Sequence, residues 1–155
     1  MSLFSFIREA GEKLFGHDTG ADQASANRSA SAAITTYIQS LQLPVTELMV
    51  QVDKAAQKAR VSGKVPDQAA REKVILACGN VEGIGEVEDN LVLAGQAGGE
   101  SQFHTVERGD TLSMIAKKCY GNANAYMVIF EANKPMLKHP DKIYPGQVLR
   151  IPPQS

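Results

Sequence analysis

The chain has 155 residues, 43% hydrophobic and 21% charged, with 16 basic side chains against 17 acidic ones for a net charge of −1. That length allows one domain or two small ones, and the charge balance leaves no basic field to draw the chain to nucleic acid or to an anionic membrane. Cys78 and Cys119 stand far apart, with no C-x-x-C pair, which reads as two buried thiols rather than a disulfide.

Leu3, Phe4, Ile7, Leu14 and Phe15 share one face if residues 3–15 are helical. The spacing predicts a short helix that must dock on something to persist. Its polar residues, Arg8, Glu9, Glu12 and Lys13, are balanced in charge, which favours docking on the protein's own body over a lipid surface. The apolar run at 3–7 is too short for a secretory leader, and no stretch reaches the ~18 apolar residues of a membrane span. A cytoplasmic protein with no stable membrane insertion is expected.

A polar connector over 16–23 leads to a helix over 25–43, with Ala33, Ile34, Tyr37, Ile38 and Leu41 on one face and Pro44 after its end. Alternation at Leu48, Val50 and Val52 predicts a strand, and Ala59, Val61 and Gly63 a second. A helix from Pro66 to Gly79 follows, then a glycine-punctuated loop over 79–85 and a closing strand over 87–93. Residues 94–101 lack large apolar groups and read as a flexible linker. Beyond it come a strand at 103–106, a turn, and a helix through Leu112, Ile115, Ala116 and Cys119 that Gly121 stops. Asn122 can cap a second helix through Tyr126, Ile129 and Phe130; Pro135 ends it, and a strand returns over 148–151. The expected class is α+β in two small domains. Residues 1–23 form the N-terminal helix and connector, 24–93 an αββαβ unit, 94–101 the linker and 102–155 a βααβ unit.

The C-terminal unit resembles a LysM domain through Phe103-His104-Thr105-Val106, Gly109-Asp110-Thr111-Leu112, Tyr120-Gly121, Asn133, Ile143-Tyr144-Pro145-Gly146-Gln147 and Leu149-Arg150-Ile151-Pro152. The larger unit resembles a BON domain through Val61-Ser62-Gly63-Lys64-Val65, Val81-Glu82-Gly83-Ile84, Val87 and Asn90-Leu91, although residues 54–59 lack the usual glycine turn. One BON unit followed by one LysM, behind a start containing Ala10-Gly11-Glu12-Lys13-Leu14, is similar to the bacterial BON–LysM proteins that bind potassium. The resemblance implies a monomeric, cytoplasmic K⁺ sensor that compacts around its ion. The LysM resemblance implies an alternative: peptidoglycan fragments, polymers of N-acetylglucosamine, held in a groove along Gly109, Asp110, Thr111, Leu112, Ile143 and Pro145.

A selective site for K⁺, which is large and singly charged, favours neutral carbonyl oxygens, whereas clustered carboxylates favour Ca²⁺ or Mg²⁺. The end of the 66–78 helix supplies such oxygens, because its last carbonyls lack intrahelical partners and carry the negative end of the helix dipole. Gly79, Gly83 and Gly85 allow the following backbone to turn carbonyls inward. Ala10-Gly11 permits close approach of a second wall. With the resemblance, this assigns the K⁺ ligands to backbone oxygens of Ile7, Ala10, Gly79, Val81, Gly83 and Ile84.

Glu82, Glu86, Glu88 and Asp89 lack the spacing of a calcium loop and read as a solvated acidic face that lends a diffuse negative potential. His17, His104 and His139 show no metal spacing, Asp110 and Thr111 are explained as a helix cap, and no nucleophile elbow, P-loop or dinucleotide fingerprint occurs. A binding protein, not an enzyme, is expected.

Overall fold

The computed structural model describes residues 2–7, 10–11, 13–14, 23–95 and 101–153. The described elements run β1 (Ser2–Ser5), α1 (Gln23–Ser40), β2 (Thr46–Asp53), β3 (Lys58–Val65), α2 (Gln68–Gly79), β4 (Glu86–Leu93), β5 (Gln102–Thr105), α3 (Leu112–Tyr120), a 3-10 turn (Ala123–Ala125), α4 (Tyr126–Ala132) and β6 (Val148–Ile151). They build a four-stranded sheet in the order β1-β4-β3-β2 and a two-stranded sheet β5-β6. The α+β class and the αββαβ and βααβ orders stand as the sequence implied.

In the larger unit β2 and β3 pair antiparallel, and β3 and β4 pair parallel, with α2 as the crossover. Alternation puts Ala59, Val61 and Val65 of β3 and Val87 and Leu91 of β4 into the core. Val50, Val52, Val74, Ile75 and the α1 stripe Ala30, Ile34, Ile38 and Leu41 meet them there. Two α1 side chains also close the rim of β2. Ser31 Oγ accepts from Val52 N–H at 2.9 Å and Asn27 Oδ1 from Lys54 N–H at 3.0 Å, so edge donors that could recruit another strand are covered. The turn between β2 and β3 has no glycine; Gln57 takes the left-handed conformation itself, at φ 55°. Asp67 caps α2, accepting from Ala70 N–H at 2.8 Å.

The expected N-terminal helix is corrected. Residues 2–5 are a strand, antiparallel to β4 with Phe4 opposite Val87. The local period is two: Phe4 and Phe6 are partly buried against the core, while Leu3, Ser5 and Ile7 are exposed. Pairing on the free side of β4 satisfies backbone groups that a helix of this length, marginal in water, would hold only weakly. Leu14 also packs on the core, whereas Phe15 and residues 16–22 of the connector lie outside the described residues, and Gln23 begins α1.

In the smaller unit Val106, Leu112, Ile115, Ala116, Ile129, Phe130, Leu149 and Ile151 form a second core. Thr111 caps α3, and Gly121 ends it at φ 76°. The ends of the expected linker are fixed to the body. Ala94 N–H donates to Val65 C=O at 2.8 Å, and Ser101 is buried with its N–H on Glu72. Residues 96–100 lie outside the description.

Candidate functional site: carbonyls at the end of α2

Helix α2 ends at Gly79, with Asn80 N–H closing the last turn on Leu76 C=O at 2.9 Å. Its last turn carries no basic side chain, so the negative end of the dipole is not neutralised locally. The chain then doubles back through Val81 and Ile84, which are fully buried. Ile84 N–H donates to Val81 C=O at 3.1 Å, and Gly83 sits at φ 102°, a conformation that favours glycine. Gly85 anchors this loop on both sides. Its N–H reaches Gln57 C=O at 2.7 Å, and its C=O accepts from Phe6 N–H at 2.9 Å.

The N-terminal segment closes over the same loop. The Phe6 ring covers Gly79 so closely that a Cβ there would lie 2.1 Å from Cζ. Ala10 N–H donates to Ile7 C=O at 3.0 Å. Gly11, at φ 115°, lies against the Asn80–Val81 peptide; a Cβ on it would come within 2.6 Å of the Asn80 carbonyl carbon and oxygen. Ile7 and Ala10 touch a third element, the turn before β6, since a Cβ on Gly146 would lie 2.6 Å from the Ala10 Cβ and 3.4 Å from that of Ile7. All the residues assigned as K⁺ ligands thus belong to two segments in contact. Among the described residues, no backbone N–H donates to the carbonyls of Ala10, Gly79, Gly83 or Ile84, and those of Ile7 and Val81 each keep a second lone pair. This donor chemistry, neutral oxygens beside a helix C-terminus, suits a monovalent cation.

The acidic residues do not form one cluster. Adjacent positions on β4 point to opposite faces, so Glu88 pairs with Arg60 and Lys58 on the open side of the sheet. Asp89 turns inward to Arg71, 2.6 Å away. The expected solvated face is therefore corrected for these two, which are buried and paired. Glu82 is half-buried and Glu86 exposed. Among the described residues no group of three or more His, Cys, Asp or Glu side chains comes together to hold a metal.

Sequence reasoning missed the junction between the units. Asn80 is 4% exposed, and its side chain makes both bonds of a peptide pair with Val148. Nδ2 donates to Val148 C=O and Oδ1 accepts from Val148 N–H, each at 2.8 Å. Nearby, Arg150 Nε donates to Glu72 Oε1 at 2.8 Å, Nη2 to Ser101 Oγ at 3.1 Å and Nη1 to Ala132 C=O at 3.0 Å. Gln68 and Ser101 N–H fill the other Glu72 oxygen. Burial works to raise the Glu72 carboxyl, but the bonds from Ser101, Gln68 and Arg150 hold it below its ordinary value. Phe4 and Phe103 meet edge-to-face at 5.5 Å between ring centroids. A cavity of about 100 Å³ beside them is lined by Gln68, Arg71, Glu72, Asp89 and Ser101.

Several of the residues assigned to the alternative glycan groove serve the fold of the smaller unit instead. Gly109 is open to solvent at φ 90°, and Pro145 is exposed. Thr111 Oγ1 is engaged by Met114 N–H, Leu112 is core, and Ile143 packs against that core. Asp110 accepts from Glu107 N–H at 2.9 Å and faces His104 at 3.3 Å, and these contacts hold its carboxyl below the usual range. His139 stays at the surface beside Asp141, and His17 lies outside the described residues.

Residues 29–95 match the BON domain family and residues 104–152 the LysM domain family. Fold and matches together define a two-domain BON–LysM protein. The chain belongs to the family of the Potassium binding protein Kbp of Escherichia coli O6:H1, with which it is 48% identical over 156 residues, 98% of this chain and 99% of that one. A Deinococcus radiodurans protein described as uncharacterized is 47% identical over 49 residues, 32% of this chain and 19% of its own.

Proposed function

We propose that this chain is a cytoplasmic, non-enzymatic K⁺-binding protein that acts as a monomer. The ion is held by the backbone carbonyls of Ile7, Ala10, Gly79, Val81, Gly83 and Ile84. The observation that carries the reading is the close seating of Ala10-Gly11 on the loop after α2, where carbonyls lack backbone donors and no basic side chain competes. Near full-length kinship to a protein named for potassium binding supports it. An ion between the two segments joins the N-terminal strand to the end of α2. Since Gly146 rests on Ile7 and Ala10, closure also favours docking of the LysM unit, and compaction follows. Two free thiols, one of them exposed, accord with a reducing compartment. No helix among the described residues is long and apolar enough to cross a membrane.

Calorimetric titration with KCl at constant ionic strength tests the proposal. Saturable binding at one site per chain is expected, with no comparable heat from NaCl. A flat KCl titration sinks it. The second reading, peptidoglycan binding, is favoured by the LysM match and the open Gly109 turn. Co-sedimentation with purified peptidoglycan supports that reading, and a chain left wholly in the supernatant removes it.

A further inference from the structure

Strand β6 belongs to a two-stranded sheet, and the peptide groups of Val148 and Arg150 face away from β5. Both are met by asparagine amides in the same way. Asn133 accepts from Arg150 N–H and donates to Arg150 C=O, each at 2.9 Å; Asn80 does the same for Val148 at 2.8 Å. Asn133 is part of the LysM unit and caps the edge permanently. Asn80 comes from the BON unit, so the Val148 cap exists only when the units are docked. The amide orientation is fixed by this pairing, because its nitrogen faces a carbonyl and its oxygen an N–H.

Asn80 lies between Gly79 and Val81, in the loop assigned to the ion, and its own C=O touches Gly11. Holding its side chain therefore holds the two peptide planes on either side of it. We infer that Asn80 is the positioning residue of the cation site, which presets the Gly79 and Val81 carbonyls by clamping its amide on the LysM edge at Val148. This rests on the K⁺ reading above and adds to it the device that couples the site to the second domain. A clamped loop loses less freedom on binding the ion, which raises affinity without a new ligand. Coupling is reciprocal, so the ion must also tighten the Asn80–Val148 pair.

The test uses the full chain, Asn80→Leu, which removes both bonds at similar size, and Asn80→Asp, which keeps the acceptor for Val148 N–H. Each is titrated with KCl, melted in KCl and in NaCl at equal ionic strength, and followed by hydrogen exchange at the Val148 amide. Loss of two buried hydrogen bonds predicts K⁺ affinity at least about tenfold weaker in Asn80→Leu, with a smaller loss in Asn80→Asp. The extra melting temperature given by K⁺ over Na⁺ should shrink in both variants, and K⁺ should slow Val148 exchange in the parent chain. A purely structural asparagine would lower melting equally in the two salts and leave affinity within twofold of the parent, which overturns the inference. A parent chain without any K⁺ response overturns the ion reading itself, a separate outcome.

Discussion

Glycines at two positions of the site make contacts that no other residue allows, and each predicts a different failure. Gly11 combines a positive φ with backbone contact on Asn80, so Gly11→Ala strains the chain and pushes rigid peptide atoms apart. K⁺ affinity should fall by about tenfold or more, read by calorimetry, and the melting temperature in NaCl should fall as well because the clash is present without the ion. At Gly79 the obstacle is the Phe6 ring. Gly79→Ala must displace it, costing about 1–3 kcal/mol of stability in denaturant unfolding, as for other overpacked sites. Unchanged affinity in Gly11→Ala would mean that the N-terminal segment is not a wall of the site. The carboxylates at Glu82 and Glu86 lend only potential on this account, so Glu82→Gln and Glu86→Gln should shift affinity modestly; abolition would make them ligands. The site glycines were readable in the sequence because glycine marks close approach and unusual φ. Asn80 was not, because an asparagine at a helix end is already explained by local capping, and its partner lies 68 residues away.

Among the elements, α2 does most of the joining: it crosses over between β3 and β4, ends at the loop proposed to hold the ion and meets β6 through Glu72. Because the native contacts hold the Glu72 carboxyl below its ordinary value, their stabilisation is complete above the ordinary carboxylate range. It is lost as pH falls through the lowered native value. Melting temperature should therefore be flat near neutrality and drop in acid. Arg150→Met leaves Glu72 buried without its partner and should cost about 3–5 kcal/mol by denaturant unfolding, and it should flatten the acid dependence. A loss below about 1 kcal/mol would show that water reaches the pair. Burial pushes the Cys78 thiol up to about 12, which makes it inert at neutral pH, whereas Cys119 is exposed, contrary to the expectation of two buried thiols. A thiol reagent should modify Cys119 at once and Cys78 only on local unfolding of the end of α2, more slowly still in K⁺. Strand and helix order followed from periodicity and local stop and start signals, as at Pro66, Thr111 and Gly121. The N-terminal strand did not: Leu3, Phe4 and Ile7 fit a helical face while Phe4 and Phe6 fit an alternating one, and the free edge of β4 that decides between them is a tertiary fact.

Over the whole molecule, the two units share a junction made of an ion pair, an aromatic contact and an asparagine clamp, placed beside the carbonyl loop. This arrangement was hidden in the sequence, since each of its residues has an adequate local explanation. On the proposed reading it gives the LysM unit a role in stabilising closure that its glycan-binding resemblance does not suggest. It also explains how a ligand that binds only the closed form stabilises the entire chain, by about 2.7 kcal/mol at 100 times its dissociation constant. In the proposed site, neutral backbone oxygens from the N-terminal segment and the loop after α2 surround K⁺. Carbon NMR of the backbone carbonyl and side-chain carboxyl signals during a KCl titration decides between these oxygens and the carboxylates. Saturable shifts centred on Ile7, Ala10, Gly79, Val81, Gly83 and Ile84 are expected, absent with NaCl at equal ionic strength. Shifts confined to the Glu82 and Glu86 carboxylates, or none in the loop at all, would contradict that arrangement.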